Sequence, residues 1–408
     1  MSAEIDQLLL ALRRRTDRII PEAEFRQKLE RSAKSGKPLR LKFGMDPTAP
    51  DVTLGHAVPL KALRTLQDAG HLAVLIIGDY TARVGDPSGR NSTRPVLSGE
   101  QIDANAKTYL DQVGKILRTE ASHLEIRFNG EWLGTMTMVD IIKLAARKSV
   151  AQLLAREDFA KRYAEGVDIR LHELMYPLLQ GYDSVVVKAD VEFGGSDQLF
   201  NNMVGRELQK EDSGGEGGGG GEGQCVIVTP LLVGTDGVVK MSKSKGNYIG
   251  VTDPAGGGNG MFGKIMRVPD ALLPQYYQLL TDVPEGEFLA AIATSPRDAK
   301  VRLAKIIISW LHTVELADQA EKDFFAATHG GVPENIPELS IGTAPIRIPP
   351  LLVKAGFVSS NSEGIRKIRE GGIKVDGEKW TDEKAELTVT EKGNVVQMGS
   401  RRFVRVLP

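Results

Sequence analysis

Two lysines three residues apart in the pentapeptide 240–244, Lys-Met-Ser-Lys-Ser, form the most specific chemical signal in this chain. The segment is small and polar, and Lys-Gly-Asn follows it directly at 245–247. Two ammonium groups on a mobile loop can close over a polyphosphate and neutralise the charge that develops as a bond breaks. The alternative is a solvated basic loop, which is what most Lys and Ser runs are. The spacing indicates polyphosphate contact by Lys240 and Lys243.

A second candidate element lies far upstream, at the tetrapeptide 53–56, Thr-Leu-Gly-His, which follows Phe-Gly-Met-Asp-Pro-Thr-Ala-Pro at 43–50. His56 falls at the start of a predicted helix, where unpaired backbone N–H groups and the positive end of the helix dipole favour phosphate. Gly55 allows the backbone to approach a base or a ribose closely. The alternative is that His56 is an ordinary first-turn residue and Thr53 only an N-cap.

A third set of polar side chains lies in the segment 176–183, Tyr-Pro-Leu-Leu-Gln-Gly-Tyr-Asp. Tyr176, Gln180 and Asp183 stand at i, i+4 and i+7, so they share one face of a helix. A phenol, a carboxamide and a carboxylate on one face make a suitable wall for a small polar ligand. The alternative is an amphipathic helix that shows its polar side to water.

Two turn-rich loops supply further candidate ligand-binding residues. A Gly-Gly-Ser-Asp-Gln loop follows a short predicted strand and opens a helix, so its Asp197 can accept hydrogen bonds from ribose hydroxyls. In the loop that begins Gly-Asp-Pro-Ser-Gly, Asp86 can bind an ammonium group, and Arg90 and Arg94 can reach a polyphosphate. Taken alone, each loop could equally be an ordinary surface turn.

Alternating strands and helices must position these residues. Apolar runs predict strands at 39–43, 73–77 and 124–128, and helical periodicity predicts helices at 55–69 and 98–117. This alternation is typical of βαβ units and predicts a doubly wound parallel sheet, that is, a Rossmann-like α/β fold. Ligands bind beyond the carboxyl ends of the strands in such sheets.

The sequence also predicts the elements that follow residue 128 and the division of the chain into domains. The pattern predicts helices at 138–154, 171–183, 197–209 and 298–328, and short strands around 185–187 and 226–228. Residues 213–223 are almost all Gly and Glu and predict a disordered surface loop. Three prolines indicate a linker at 340–350, and residues 351–406 predict a small α/β unit with a hairpin turn at 373–378. We therefore expect a catalytic domain at 1–250 with an insertion at 213–223, an α-helical domain at 251–339, and a linker with a small α+β domain at 340–408.

Composition limits the class of protein, the roles open to cysteine and the expected compartment. The chain has 408 residues, of which 41% are hydrophobic and 26% charged, as in ordinary soluble proteins with two or three domains. Its one cysteine, Cys225, excludes an internal disulfide and a cysteine-based zinc cluster. We see neither a secretory signal nor an apolar run long enough to cross a membrane, so the cytoplasm is the expected compartment. Residues 346–408 carry 12 Lys and Arg against 8 Asp and Glu, which permits contact with phosphate.

Taken together, these motifs resemble the class I aminoacyl-tRNA synthetases: 53–56 is a HIGH-type motif, and 240–244 matches KMSKS letter for letter. The resemblance is closest to the bacterial tyrosyl-tRNA synthetases and extends over nearly the whole chain, including an S4-like RNA-binding domain at the C-terminal end. It implies that L-tyrosine is activated with ATP and Mg²⁺ and transferred to the terminal ribose of tRNA(Tyr). It also implies a homodimer and no protein-bound zinc.

The resemblance assigns roles residue by residue. Asp183 would accept a hydrogen bond from the substrate phenol, and Gln198 would lie near the substrate carboxylate. The residues that would hold the substrate ammonium are Asp86, Tyr176 and Gln180. The residues that would bind ATP are Gly44, Asp46, Gly55, His56, Gly195, Asp197 and Lys243. The residues that would act on the leaving pyrophosphate are Thr48, Thr53, His56, Arg90, Arg94, Lys240 and Lys243.

Two positions depart from the family pattern. Thr53 replaces the first histidine of the HIGH motif, and it is shorter and never cationic. Lys42 stands where many relatives have a tyrosine facing the substrate phenol, as in a known subfamily, which leaves Asp183 as the clearer phenol-binding residue. Tryptophanyl-tRNA synthetase is the nearest rival assignment, because a carboxylate can also accept from an indole N–H. A small-molecule nucleotidyltransferase and a non-catalytic RNA-binding regulator are two further candidates.

Overall fold

The computed structural model describes residues 2–88, 98–213, 221–328, 336–342, 344–399 and 402–408. Two of the predicted site residues, Arg90 and Arg94, lie outside these ranges, as do residues 214–220 of the predicted glycine-rich loop. The chain forms two compact units: Met1–Thr252 with Gln275–Asp282, and Asp253–Pro274 with Val283–Pro408. The division into three domains stays a prediction.

The first unit is built on a six-stranded sheet. Its strands are β1 (Arg18–Ile20), β2 (Arg40–Met45), β3 (Leu72–Ile77), β4 (Leu124–Phe128), β5 (Val191–Gly195) and β6 (Cys225–Thr229). They are ordered β1-β6-β5-β2-β3-β4, and all neighbours are parallel except the antiparallel pair β1 and β6. The predicted parallel, Rossmann-like sheet is therefore confirmed, whereas β1 was not predicted.

Helices connect these strands and cover the sheet. They are α1 (Ser2–Arg13), α2 (Glu22–Ser35), α3 (Leu54–Asp68), α4 (Thr81–Val84), α5 (Gly99–Val113), α6 (Gly130–Leu133), α7 (Met138–Ala145), α8 (Val150–Leu154), α9 (Glu157–Ala164), α10 (Leu171–Val186) and α11 (Leu199–Ser213). Short 3₁₀ turns span Ser196–Gln198 and Lys243–Lys245. Val74 and Ile76 of β3 lie in one buried cluster with Leu178 of α10 and with Val204 and Leu208 of α11.

The order of the strands opens a cleft beside β2. From β2 the chain adds β3 and β4 on one side, and later adds β5 and β6 on the other. The connections that leave β2 and β5 therefore run in opposite directions, and a crevice forms at the carboxyl ends of these two strands. Segments 43–50 and 194–198 lie at those ends.

Three sequence-based predictions of secondary structure are wrong in detail. Residues 185 and 186 are the end of α10 and Val187 is its C-cap, so this segment is not a strand, and the next strand is β5. Three consecutive valines favour a strand locally, but helix packing overrides that preference and buries Val187. The predicted helix 138–154 is two helices, because Ser149 caps the start of α8 with its side chain. The predicted helix 298–328 is interrupted at His312, which has non-helical φ and ψ of −126° and −116°.

The remaining elements include a small β-rich part near the C-terminal end. The helices are α12 (Met261–Met266), α13 (Leu273–Leu280), α14 (Glu285–Thr294), α15 (Pro296–Leu311), α16 (Val314–Thr328), α17 (Ile348–Lys354) and α18 (Asn361–Arg369), with a 3₁₀ turn at Asp270–Leu272. The strands are β7 (Glu338–Ser340), β8 (Ile346–Arg347), β9 (Ile373–Val375), β10 (Glu378–Lys379), β11 (Glu386–Leu387), β12 (Asn394–Met398) and β13 (Arg402–Leu407). Their five-stranded sheet has the order β10-β9-β12-β13-β7, and β8 pairs with β11.

Local sequence explains two features of this C-terminal part. The predicted hairpin turn joins β9 to β10 through Asp376 and Gly377, whose φ values are +51° and +87°, as a tight Asp-Gly hairpin requires. The segment 340–350, interpreted as a linker, instead contains β8 and the start of α17, where proline in the first turn loses no hydrogen bond. In the part of the chain that the structure describes, no helix is both long and apolar enough to cross a bilayer.

We expect Leu208→Ala to lower the free energy of unfolding by about 2–5 kcal/mol, because it leaves a cavity in the cluster that joins α10 and α11 to the sheet. Urea unfolding followed by circular dichroism measures this change. The matched control is Leu10→Ala, since Leu10 is 69% exposed on α1 and should change stability by less than about 0.5 kcal/mol. Equal effects of the two substitutions would contradict this assignment of the core.

Candidate active site

A cavity of about 1050 Å³ opens at the carboxyl ends of β2 and β5. It brings together the predicted site residues that the structure describes. These are Gly44, Asp46, Thr48, Thr53, Gly55, His56, Asp86, Tyr176, Gln180, Asp183, Gly195, Asp197, Gln198, Lys240 and Lys243. Lys42 is buried and does not line the cavity.

A short backbone pairing joins the start of segment 53–56 to residues 249–251, which follow segment 240–244 closely in the chain. The Leu54 N–H donates to the carbonyl of Ile249 at 2.9 Å, and the Val251 N–H donates to the carbonyl of Val52 at 2.8 Å. These two hydrogen bonds flank an antiparallel bridge between Thr53 and Gly250. Segments 53–56 and 240–244, far apart in sequence, therefore meet at one wall of the cavity.

His56 is held in one tautomer at the first turn of α3. The backbone N–H of Thr53 points at Nδ1 of His56 at 3.2 Å, and Oγ1 of Thr53 lies 2.9 Å from the same nitrogen. Nδ1 is therefore an acceptor, and the proton of the neutral ring lies on Nε2. Burial, and then the positive charges of Lys243 and Lys240, lower the pKa of His56 to about 4. His56 is consequently a neutral hydrogen-bond donor near pH 7, and Thr53 orients it.

The two lysines of segment 240–244 make different contacts. Nζ of Lys240 donates to a carboxylate oxygen of Asp197 at 2.5 Å. Nζ of Lys243 donates to the carbonyl of Ala49 at 3.2 Å and lies 5.5 Å from the centre of the Tyr109 ring. Both ammonium groups thus face segments that follow β2 or β5, where an anionic ligand would lie.

Asp183 is a buried carboxylate at the opposite side of the cavity. It is 3% exposed, and it accepts hydrogen bonds from Nε1 of Trp132 at 2.9 Å and from Nδ2 of Asn129 at 3.3 Å. Burial raises the pKa of Asp183 to about 7, although the charge of Lys42 and both hydrogen bonds act in the opposite direction. The group therefore changes charge close to neutral pH.

Several other polar side chains of the cavity form hydrogen bonds with one another. The Tyr176 hydroxyl donates to Asp46 at 2.8 Å, and Thr81 donates to the other oxygen of that carboxylate at 2.7 Å. The side-chain amide of Gln198 donates to Asp86 at 2.9 Å. Because the Tyr176 hydroxyl donates its proton to Asp46, its oxygen can act only as an acceptor toward another group.

Gly195 packs closely against two neighbouring side chains. A Cβ atom there would lie 2.8 Å from a side-chain carbon of Leu231 and 2.9 Å from a carboxylate oxygen of Asp197. Both distances are shorter than normal contacts, so a side chain at this position would require Leu231 and Asp197 to shift.

Several residues of the site were not predicted. They are Asn129, Trp132, Thr81 and Asn201, which bind Asp183, Asp46 or Gln180. They come from α4, α6, α11 and the residue after β4, and no local motif marks them. Within the described ranges, no three or more His, Cys, Asp or Glu side chains converge in a way that could hold a metal ion.

Comparison with known proteins shows the family. Residues 34–328 match the family model for class I tRNA synthetases of the tryptophan and tyrosine group. The chain belongs to this family.

Relatives that align over nearly their whole length show where in this family the chain lies. The tyrosine–tRNA ligase of Burkholderia thailandensis is 48% identical over 408 residues, which cover 99% of this chain and 95% of the relative. The tyrosine–tRNA ligase of Bordetella pertussis is 47% identical over 412 aligned residues, with 100% and 97% covered. Within its family, the chain therefore lies among the bacterial tyrosyl-tRNA synthetases.

Solved structures agree on the fold. A tyrosyl-tRNA synthetase from Archaeoglobus fulgidus, solved with L-tyrosine, has a TM-score of 0.60 at 23% identity and covers 78% of this chain and 99% of that one. A truncated mitochondrial tyrosyl-tRNA synthetase from Aspergillus nidulans has a TM-score of 0.61 at 21% identity, with 76% and 91% covered.

We expect ¹⁵N NMR to show the His56 ring proton on Nε2 at pH 7 and a titration midpoint near pH 4. Lys243→Gln should raise the pKa of His56, because it removes the stronger of the two repelling lysine charges. Lys245→Gln, at an exposed position of the same loop, is the matched control and should have a smaller effect. A proton on Nδ1, or a midpoint at the ordinary value near pH 6.5, would contradict this description.

Proposed function

We propose that this protein activates L-tyrosine with ATP, giving tyrosyl-adenylate and pyrophosphate, and then transfers the tyrosyl group to the 3′-terminal ribose of tRNA(Tyr). One observation carries the proposal. A single cavity contains a buried carboxylate, Asp183, suited to a phenol, and also both lysines of segment 240–244, suited to a polyphosphate.

The first step requires alignment and charge neutralisation. The tyrosine carboxylate attacks the α-phosphorus of ATP, the bond to the bridging oxygen breaks, and pyrophosphate leaves with the bonding electrons. No residue becomes covalently attached. Lys240 and Lys243 neutralise the charge that builds on the β- and γ-phosphates, and Nε2–H of His56 donates to a phosphate oxygen. Thr48 would lie beside the same phosphates, as would Arg90 and Arg94, which lie outside the described residues.

Recognition of tyrosine rests on its phenol and its ammonium group. The phenol donates to the Asp183 carboxylate, while phenylalanine would leave that buried group without this partner. Tyr176, Gln180 and Asp86 accept from the substrate ammonium, and Gln198 lies near the substrate carboxylate. An indole N–H could also reach Asp183, so tryptophan is the competing substrate to test.

ATP is proposed to bind over Gly44, Gly55 and Gly195, with Asp46 and Asp197 facing its adenosine. Asp197 pairs with Lys240 in this structure, so ribose binding requires the two side chains to separate and releases Lys240 toward the phosphates. Mg²⁺ is proposed to enter on the ATP phosphates, because it keeps several waters and binds nucleotides mainly through their phosphate oxygens.

The partner of the second step is proposed to be tRNA(Tyr), bound in part by the C-terminal sheet and its helices. The last turn of α18 carries Arg366, Lys367 and Arg369, and Arg402 lies on β13. A cytoplasmic location is proposed to go with this role in protein synthesis.

The substrate assignment is tested by ATP–pyrophosphate exchange with tyrosine, tryptophan and phenylalanine in turn. We expect exchange with tyrosine at concentrations at which the other two give little. Exchange driven best by tryptophan, or by none of the three, would contradict the proposal.

We expect Lys243→Ala to reduce the rate constant of tyrosyl-adenylate formation by about 10²-fold or more, with little change in the tyrosine half-saturation constant. The reason is that Lys243 would act on charge that exists mainly in the transition state. Single-turnover formation of the adenylate measures both quantities, with Lys245→Ala as the matched control in the same loop. An unchanged rate constant would refute the role of Lys243.

We further propose a homodimer formed through the surface of α7 to the start of α10. Large apolar side chains are exposed there: Met138, Val139, Ile142, Val150, Tyr163 and Leu171, with Leu171 76% exposed. So many exposed apolar residues along one stretch of chain favour a protein interface over a solvated face.

We expect Ile142→Asp to convert the dimer to a monomer, because a charge would be buried in an apolar interface. Light scattering coupled to gel filtration measures the mass. Leu10→Asp places the same charge on an exposed leucine of α1 and should leave the dimer intact. A dimer that survives Ile142→Asp would exclude this surface.

A further inference from the structure

The strand register places two opposite charges beneath the tyrosine side of the cavity. Lys42 of β2 and Glu192 of β5 are direct partners in the parallel pairing of those strands, so their side chains project from the same face. Their exposed fractions are 0% and 1%, and Nζ lies 2.8 Å from Oε1 of Glu192. A buried pair of this kind persists only when its remaining hydrogen bonds are satisfied.

Those hydrogen bonds lead directly to the helix turn that carries Asp183. Nζ of Lys42 also donates to the carbonyl of Gln180 at 2.8 Å and to Oγ of Ser184 at 2.6 Å. With Glu192, the three N–H donors of the ammonium group have three acceptors. Ser184 in turn donates to Glu192 at 3.1 Å. The pair thus binds α10 at residues on both sides of Asp183.

We infer that the Lys42–Glu192 pair is a specificity determinant: it anchors the turn of α10 that carries Asp183 and sets how much of Asp183 is in the carboxylate form that binds the substrate phenol. This inference rests on the proposed activation of tyrosine. Lys42 therefore acts from beneath the site, through Asp183, and does not touch the substrate.

The pair acts on Asp183 with opposing charges. The positive charge of Lys42 lowers the pKa of Asp183, and the negative charge of Glu192 raises it. The other contacts of Asp183 from packed elements, Trp132 of α6 and Asn129 after β4, are neutral donors. The titratable residues that share the cavity wall with Asp183 are His56, Asp46, Asp86, Tyr109, Tyr176, Asp197, Lys240, Lys243 and Lys245.

The carboxylate form of Asp183 binds the substrate phenol more strongly than the neutral acid does, because a charge-assisted hydrogen bond is the stronger one. Since the pKa of Asp183 is about 7, kcat/KM for tyrosine should fall as the pH is lowered through neutrality. Phenylalanine has no phenol to donate and leaves the carboxylate unpaired, so its kcat/KM should not fall over this pH range.

Two single substitutions give opposite expectations. Lys42→Gln should move the midpoint of the tyrosine profile to higher pH, and Glu192→Gln should move it to lower pH. Each shift should be about one pH unit or more, as is typical when a nearby charge is removed. The double variant should lie between them, and Asp183→Asn should abolish the transition. A role limited to structure would weaken tyrosine binding in both single variants without moving their midpoints apart.

The measurement is ATP–pyrophosphate exchange at several pH values on the full-length variants, with phenylalanine as the parallel substrate. Circular dichroism identifies any variant that does not fold; Glu192→Gln keeps the volume of the side chain and tests the inference by itself. Midpoints that stay at the parent value, or that move in the same direction, would overturn the inference. If the parent protein activates no tyrosine at any pH, the proposed function fails instead.

Discussion

The parallel pairing of β2 with β5 is the interaction on which the rest of the structure depends. It joins the two halves of the sheet where strand order reverses, so the segments after both strands border one cleft. It also sets Lys42 opposite Glu192 in the layer beneath that cleft. A slip of one residue would turn Lys42 to the other face of the sheet and leave Glu192 buried without its partner. The same register therefore determines both the place of the site and the charge beneath it.

Charge is distributed unevenly around the cavity. Asp183 and Asp46 lie toward α10, where an ammonium and a phenol would bind, and Lys243 lies toward the start of α3, where a polyphosphate would bind. His56 fits the cationic side because it is neutral and donates from Nε2 without adding a further positive charge. Such preorganised charges and dipoles stabilise a reaction that moves negative charge from one side to the other.

Thr53 stands in the place of the first histidine of a HIGH motif, and it contacts the remaining histidine, His56. It does not supply the second imidazole of a HIGH motif; instead its backbone and hydroxyl both contact Nδ1 of His56 and leave one tautomer available. The sequence indicated that Thr53 is either a helix cap or a direct contact to phosphate. The geometry supports a third role, orientation of the neighbouring histidine.

The sequence by itself determined the parallel α/β sheet, the hairpin at 373–378 and fifteen of the residues that line the cavity, because these depend on periodicity, turn chemistry and local motifs. Tertiary structure alone decided that Trp132 binds Asp183, that Lys42 is buried beneath the cavity rather than in its wall, and that residues 185–187 end a helix. The physical reason is that these outcomes depend on contacts between residues distant in sequence. Packing and strand register set such contacts, and local composition carries little information about either.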